Sequence, residues 1–263
     1  MQPPLIRITS LTATRGRQVI LREINLEIAR GAHVVLCGRS GAGKTTLLRL
    51  LAGFEAPAEG RIEIAGRVVT ENHRLLVPPE QRGLGMVFQD LGLWPNLTVR
   101  GNVYFGLAGK PWGRRERHAA AAAAMSACRL DGLERRRPGQ LSSGEQQRTA
   151  LARAVAGHPE ALLLDEPFTA LDLILKREMI VLFRTLVADH KLTAITVSHD
   201  PFDAGALAAD RLIVLEDGRI ADSIPTAQLL TLCPQSKLLA EWRKHLLEAG
   251  SGPEQASWPP VLR

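Results

Sequence analysis

The stretch GRSGAGKT places glycine, lysine and threonine at the spacing that a triphosphate-binding loop requires. It follows AHVVLCG, which predicts a buried strand, and precedes KTTLLRLLAG, which predicts a helix ending at Gly53. The glycines would let backbone N–H groups surround phosphates, the lysine would reach the β and γ oxygens, and the first threonine would ligate Mg²⁺. The alternative is an ordinary glycine-rich turn. The context favours a nucleoside-triphosphate site formed by Gly38, Arg39, Ser40, Gly41, Ala42, Gly43, Lys44, Thr45 and Thr46.

Two adjacent carboxylates end a second apolar run, ALLLDEP, at residues 161–167. The run predicts a buried strand, and Asp165 at its end could hold Mg²⁺ through a water molecule. Glu166 follows and could accept a proton from an attacking water. Alternatively, DEP is only a strand-to-loop transition. The triphosphate loop upstream favours the interpretation as hydrolysis chemistry.

A second candidate anion site is LSSGEQQR at residues 141–148, where polar residues could open a helix. A helix start presents free backbone N–H groups and the positive end of the helix dipole. This stretch has no lysine, and Ser142 with Glu145 also fits a capping box, which by itself would account for both residues.

The composition limits the classes of protein to consider. The 263 residues are 45% hydrophobic and carry a formal net charge of +6, but the arginines are dispersed and only one tyrosine is present. This pattern favours solvated helix faces over a nucleic-acid surface. The three scattered cysteines suggest neither disulfides nor zinc. Without a long apolar run or a signal-peptide pattern, we expect a soluble, cytoplasmic chain.

The predicted elements change character along the chain. Strands are predicted in three places: the first thirty residues, GRIEIAGRVV and GLGMVFQ. Residues 96–158 predict helices instead, including an alanine-rich one at 118–128. Strand and helix patterns then alternate through RLIVLEDG, which is typical of a parallel sheet with crossover helices. The segment 250–260 predicts a mobile tail.

Six motifs follow one another along the chain, in the order GRSGAGKTT, VFQD, LSSGEQQR, LLLDEP, TALD and VSHD. Together they resemble the nucleotide-binding subunit of ATP-binding cassette (ABC) transporters over residues 5–235. The resemblance implies an α/β fold: a P-loop NTPase core of mixed or parallel sheet with flanking helices, an N-terminal antiparallel β part and a helical subdomain. It also implies an ATPase domain at 1–235, the subdomain inserted at about 90–158, and a C-terminal helix and flexible tail at 236–263.

The resemblance also implies roles for the remaining motifs. Two copies would enclose two ATP molecules head to tail, so that the signature residues Ser142, Ser143, Gly144 and Glu145 contact the ATP of the partner copy. Gln89 would sense Mg²⁺ and the attacking water, and His199 would contact the γ-phosphate; each could instead be an ordinary polar residue at a strand end. Asp172 would lie at the dimer interface, although it could also cap the helix that begins near Leu173.

Three residues depart from the family pattern. Ser143 replaces a glycine and Glu145 a glutamine of the usual LSGGQ, and an added side chain or carboxylate near a phosphate is unfavourable. Arg15 occupies the position where the family usually stacks an aromatic ring on adenine. A guanidinium plane can also stack on a base, or Arg15 could be a solvated turn residue.

The region after Gln89, DLGLWPNLTVRGNVYFGL at 90–107, resembles the surface that contacts membrane subunits, and subdomain core is the alternative. It looks most like importer ATPases of the short type without a C-terminal regulatory domain. The resemblance therefore implies separate permease subunits, a solute-binding protein, no nucleic acid, and a peripheral position at the cytoplasmic membrane face. Alternative functions are a non-transport cassette ATPase acting on ribosomes or DNA, and a small-molecule kinase.

Overall fold

The computed structural model describes residues 3–169, 171–229 and 236–241. The chain divides into a first unit, Met1–Pro78 with Ile195–Arg263, and a second unit, Pro79–Ala194. The predicted C-terminal helix and flexible tail lie outside the described residues, except that 237–241 is helical. The predicted domain boundaries stay predictions.

The helices and strands account for most of the described chain. The strands are β1 (Ile6–Arg15), β2 (Gln18–Ile28), β3 (His33–Cys37), β4 (Glu59–Ile64), β5 (Arg67–Glu71), β6 (Arg74–Leu75), β7 (Leu84–Val87), β8 (Ala161–Asp165), β9 (Thr193–Ser198), β10 (Arg211–Glu216) and β11 (Arg219–Pro225). The α-helices are α1 (Lys44–Ala52), α2 (Val99–Phe105), α3 (Arg114–Ala127), α4 (Ser143–Val155), α5 (Leu173–His190) and α6 (Asp203–Ala206). Short 3₁₀ turns lie at Pro79–Gln81, Pro138–Gln140 and Thr226–Gln228.

An antiparallel sheet in the order β2-β1-β4-β5-β6 forms the start of the first unit. Alternating apolar side chains along β1, including Ile6 and Ile8, are buried, while the polar ones between them are exposed. The predicted strand GRIEIAGRVV is two strands, β4 and β5, because a turn at Ala65 and Gly66 separates them. This sheet is the antiparallel part that the sequence predicted.

The second sheet of the first unit has the order β11-β10-β3-β9. Every residue of β3 is buried, and β3 pairs in parallel with β10, from Val34 opposite Arg211 to Cys37 opposite Val214. Strands β10 and β11 form an antiparallel hairpin. Because β3 leads directly towards α1, this buried parallel pair fixes the base of the loop between them.

The second unit contains a parallel pair of strands and most of the helices. Strand β7 pairs with β8 from Leu84 opposite Ala161 to Val87 opposite Leu164. The helices α2, α3 and α4 pack against one another, as expected for the helical stretch. The alanine-rich run lies in α3, where Ala121 and Ala124 are buried. None of the helices in the described ranges has the length and apolarity that a bilayer crossing requires.

Candidate functional site

The loop between β3 and α1 is held together by its own lysine. Lys44 is only 5% exposed, and its Nζ donates to the carbonyl oxygens of Gly38 at 2.7 Å and Arg39 at 3.1 Å. The loop therefore keeps a positive charge at its centre, bonded to its own backbone. Arg39, Ser40, Gly41 and Thr45 are exposed, whereas Gly38, Ala42, Gly43 and Thr46 are buried.

Two loop positions require glycine. Gly43 has φ +100°, and a Cβ there would lie 2.6 Å from Leu21 Cδ2 and 3.2 Å from the carbonyl oxygen of Ile20. Gly41 has φ +81°, and nothing lies within 4 Å of its missing Cβ. The loop thus has a left-handed backbone, which residues other than glycine adopt only with strain. It also has open space beside that backbone. This geometry suits close approach of a phosphate.

Helix α1 begins without a side-chain cap. Gly43 is its N-cap residue and offers no side chain to cap the first turn, and that turn contains no acidic residue. Its N-terminal N–H groups and the positive end of its dipole therefore have no carboxylate of the helix itself to satisfy them. Such a helix start is a ready anion-binding site.

The base of this loop is rigidly anchored. At the beginning of β3, the backbone N–H of His33 donates to the Asp210 carboxylate at 2.8 Å, and His33 Nε2 lies 3.0 Å from Thr196 Oγ1. Burial lowers the pKa of His33 to about 4, against a weaker raising effect of Asp210. At the other end of β3, burial raises the pKa of Cys37 to about 12, so its thiol stays protonated.

His199 follows β9 on a loop with its own hydrogen-bond network. The backbone N–H of Asp200 donates to Ser198 Oγ at 3.0 Å, and the N–H of Phe202 donates to Asp200 Oδ1 at 2.9 Å. The Ser198 hydroxyl also donates to the buried Asp203 carboxylate. The imidazole of His199 is exposed at the end of a buried strand, on a backbone that its neighbours constrain.

Arg15 is the last residue of β1 and pairs with Gln18 across the turn to β2. Its side chain is exposed, as are those of its neighbours in the turn. This position agrees with a solvated turn residue and leaves the guanidinium accessible to a base.

In the second unit, Gln89, Asp165 and Glu166 lie at the carboxyl ends of the parallel pair β7 and β8. Asp165 is 4% exposed, Glu166 is half-buried, and Gln89 is exposed. The Thr169 hydroxyl donates to Glu166 Oε2 at 3.4 Å. Glu166 has φ +46°, a left-handed conformation that is costly for a residue with a side chain.

The signature stretch forms the predicted capping box at the start of α4. The backbone N–H of Ser142 donates to Glu145 Oε2 at 2.7 Å, and the N–H of Glu145 donates to Ser142 Oγ at 3.3 Å. The bond from Ser142 lowers the pKa of the Glu145 carboxyl. Ser143 is exposed, while a Cβ on Gly144 would lie 2.5 Å from Leu175 Cδ1.

Asp172 is the N-cap residue of α5, and its Oδ1 accepts a bond from the backbone N–H of Leu175 at 2.9 Å. The capping role that the sequence suggested is therefore confirmed. Its role at a dimer interface stays a prediction, and the two roles are compatible.

The segment after Gln89 is only partly exposed. Leu91, Leu93 and Leu97 are half-buried, and Trp94 is 51% exposed. The Trp94 ring lies 5.3 Å from that of Phe105, which is also 51% exposed. This aromatic pair is the accessible apolar part of the segment.

Two residues that the sequence analysis missed hold this segment in shape. The buried Asn102 accepts a bond from the Trp94 N–H at 2.8 Å and donates to the Trp94 carbonyl at 3.1 Å. From α4, Arg153 donates to the carbonyl oxygens of Leu91, at 2.6 Å, and Gly92. The helix that begins with the signature is therefore bonded directly to the segment that follows Gln89. The position of Asn102 on the buried face of α2 could have indicated its own contacts, but no sequence pattern indicates those of Arg153.

Solved structures resemble the chain over most of its length. The dimeric structure of MJ0796, a bacterial ABC transporter cassette, has a TM-score of 0.71 and 30% identity, and the match covers 84% of this chain and 98% of that chain. The same cassette in a post-hydrolysis state bound to ADP and Pi gives a TM-score of 0.71 and 28% identity.

Relatives of this chain include ATP-binding proteins of importers. The spermidine/putrescine import ATP-binding protein PotA of Rubrobacter xylanophilus is 40% identical over 92% of this chain. The Fe(3+) ions import ATP-binding protein FbpC of Mesorhizobium japonicum is 40% identical over 90%. The chain spans 62% and 64% of the lengths of these two relatives.

The family model described as ABC transporter matches residues 21–169, which is over half of the chain. The predicted fold class and the resemblance read from the ordered motifs are therefore confirmed. The chain belongs to the ABC transporter family.

Proposed function

We propose that this chain binds and hydrolyses ATP, and that a dimer of it powers solute import through separate membrane subunits. The observation that carries the proposal is the loop Gly38–Thr45, with a central lysine, a left-handed glycine backbone and an uncapped helix start. When ATP binds to this loop, Lys44 exchanges its backbone carbonyl partners for the β and γ oxygens. The N–H groups of the loop and of Thr46 surround the phosphates. Arg15 contacts the adenine.

The oxygen donors suit Mg²⁺, which prefers hard oxygen ligands and retains several waters. In the first unit, the Thr45 side chain is exposed at the first turn of α1. In the second unit, Asp165 and Gln89 offer a carboxylate and an amide at adjacent strand ends. We assign Thr45 and Gln89 as ligands, with Asp165 acting through water. When bound, Mg²⁺ would neutralise charge on the β and γ phosphates.

Hydrolysis requires a base and an oriented water. We assign Glu166 as the base: its carboxylate takes a proton from the water as that water bonds to the γ-phosphorus and the bond to the bridging oxygen of ADP breaks. His199 holds the γ-phosphate and the water in line, and Lys44 stabilises the charge that develops. The position of Glu166 directly after Asp165, at the carboxyl end of β8, supports this assignment.

The signature residues complete the site of a second copy. Ser142, Ser143 and the backbone of Gly144 contact the γ-phosphate held by the partner, and Asp172 lies at the interface. The dimeric state of the similar bacterial cassette supports this arrangement. In the capping box, the Glu145 carboxylate accepts a bond from the backbone N–H of Ser142, the N-cap residue, which offsets part of its charge before a phosphate arrives.

Transport follows from coupling this cycle to membrane partners. The named functions of the relatives are import of spermidine/putrescine and of Fe(3+) ions. We assign the aromatic pair Trp94 and Phe105 to the permease contact, since Asn102 and Arg153 keep that segment ordered. The chain would work at the cytoplasmic face of the membrane, and a solute-binding protein and the permease would select the solute.

The test is Glu166→Gln with Glu178→Gln as matched control, because Glu178 is an exposed carboxylate on α5 of the same unit. Removal of a general base should lower steady-state hydrolysis at least about 100-fold and leave ATP binding intact. Light scattering should show Glu166→Gln changing from monomer to dimer with Mg-ATP. Near-normal turnover in Glu166→Gln, or equal losses in both variants, would overturn the role of Glu166.

A further inference from the structure

A carboxylate from the C-terminal part of the first unit contacts the phosphate-binding loop. Glu241 lies in the helical turn 237–241, and its Oε2 accepts a bond from Arg39 Nη2 at 2.8 Å. Arg39 is the second residue of the loop, and Lys44 is bonded to its carbonyl oxygen. The ion pair is exposed, with 71% of the Arg39 side chain and 55% of the Glu241 side chain accessible. The guanidinium is therefore free to change partners.

The helical turn that carries Glu241 is fixed at its start. The backbone N–H of Ser236 donates to Asp222 Oδ2 at 2.6 Å, and the next two N–H groups donate to the Glu216 carboxylate at 3.2 and 2.7 Å. Leu239 is 2% exposed, so the turn also buries an apolar side chain. Glu241 is thereby presented on an anchored backbone, which reduces the entropy lost when the ion pair forms.

Glu216, which anchors the helical turn, lies on a strand next to the one that leads into the phosphate-binding loop. Glu216 ends β10, and β10 pairs directly with β3, the strand that leads into the loop. The carbonyl oxygen of Leu215 approaches Gly38 so closely that a Cβ there would lie 2.4 Å away. The carboxylate of Glu241 and a triphosphate in the loop would thus be alternative partners of one guanidinium, since both accept charge-assisted bonds from arginine.

We propose that Glu241 is a positioning residue that withholds Arg39 from the triphosphate and so sets the ATP affinity of the loop. The inference rests on the proposed function and adds to it a contact by which the C-terminal segment regulates nucleotide binding. Binding of ATP draws Arg39 towards the phosphates and releases Glu241. Because linkage is reciprocal, ATP also weakens the docking of the helical turn.

The test is a thermodynamic cycle on the full chain, with ATP dissociation constants measured by calorimetry at physiological salt. Glu241→Gln should tighten ATP binding about two- to fivefold, the range expected for an exposed ion pair. In an Arg39→Gln background the same substitution should leave the dissociation constant unchanged, since no guanidinium remains to be released. Equal tightening in both backgrounds, or none with Arg39 present, would overturn the proposal.

Two further variants separate the ion pair from general effects. Glu27→Gln breaks an exposed Arg7–Glu27 pair of 2.7 Å in the same unit and should not change ATP affinity. Glu241→Asp keeps the charge and should stay close to the unmodified chain; tightening equal to that of Glu241→Gln would count against the proposal. An unmodified chain that binds no ATP would instead overturn the proposed function itself.

Discussion

The starts of α1 and α4 are both expected to meet phosphate, yet they satisfy their backbone donors in different ways. Helix α1 begins at a glycine with no side-chain cap and no acidic residue in its first turn. Helix α4 begins with a reciprocal capping box in which Ser142 and Glu145 bond to each other's backbone N–H groups. The first helix start has no side-chain cap, whereas the second has a reciprocal one.

This difference shows how the chain accommodates the departure from the usual signature. A carboxylate at position 145 would be unfavourable if it faced a phosphate, but here it accepts a bond from the Ser142 N–H. The signature is therefore held in shape by its own side chains, whereas in the loop before α1 Lys44 donates to the carbonyl oxygens of Gly38 and Arg39. Binding should accordingly depend on the first helix start much more than on the second.

The strongest way to break this comparison is Lys44→Ala. Loss of charge-assisted bonds to two phosphate oxygens should weaken ATP binding about a thousandfold, or about 4 kcal/mol. Calorimetric titration with Mg-ATP measures the change, and thermal melting checks that the fold persists. Lys110→Ala removes the same charge outside the loop and serves as control. Unchanged affinity in Lys44→Ala would show that the uncapped helix start suffices alone.

Acid should destabilise the fold through His33, which anchors the strand before α1. The Glu145 carboxylate, which caps α4, should stay charged. The pKa of His33 is about 4 in the folded chain and 6.5 ordinarily, so the unfolded chain binds the extra proton between these values. The contribution of neutral His33 to the free energy of unfolding is fully present above pH 6.5. It falls, by up to about 3 kcal/mol, as the pH drops towards 4. The pKa of Glu145 is lowered, so its carboxylate stays ionised over most of this range.

Urea unfolding of the unmodified chain and of His33→Gln at pH 7 and pH 4.5 measures the effect of His33. Carboxylates contribute to both chains equally, so the variant should lose less stability over this interval. Identical pH dependence in the two chains would contradict a buried, neutral His33.

A smaller effect is expected from removing the side-chain cap at the start of α4. Ser142→Ala removes the side chain that caps the Glu145 N–H and should lower the free energy of unfolding by about 1 kcal/mol. Ser143→Ala is the matched control, because Ser143 is exposed and lies one residue inside the helix. Urea denaturation of both variants measures the difference, and equal effects would mean that the Ser142 hydroxyl contributes nothing to stability.

Local patterns in the sequence were sufficient to predict the features that depend on neighbouring residues. The capping box of Ser142 and Glu145, the cap by Asp172 and the loop around Lys44 each lie within a few residues of chain. The contacts of Arg153 with Leu91 and Gly92 depend on tertiary packing, and no local spacing encodes them.

The contact between Arg39 and Glu241 joins residues 202 positions apart, so the sequence alone could not reveal it. Burial within the segment that resembles a partner surface also depends on packing. Leu91, Leu93 and Leu97 of that segment are half-buried. Buried apolar runs such as β3 and β8 were predicted correctly, since their composition alone identifies them.

The backbone at Glu166 has an evolutionary consequence. Its φ of +46° costs a residue with a side chain roughly 1–2 kcal/mol, and glycine or asparagine would relieve much of this. Under the role in hydrolysis proposed for Glu166, the carboxylate would be kept at a cost in folding stability. In a lineage that no longer needs turnover, drift at position 166 should favour those two residues and yield a more stable, catalytically silent descendant.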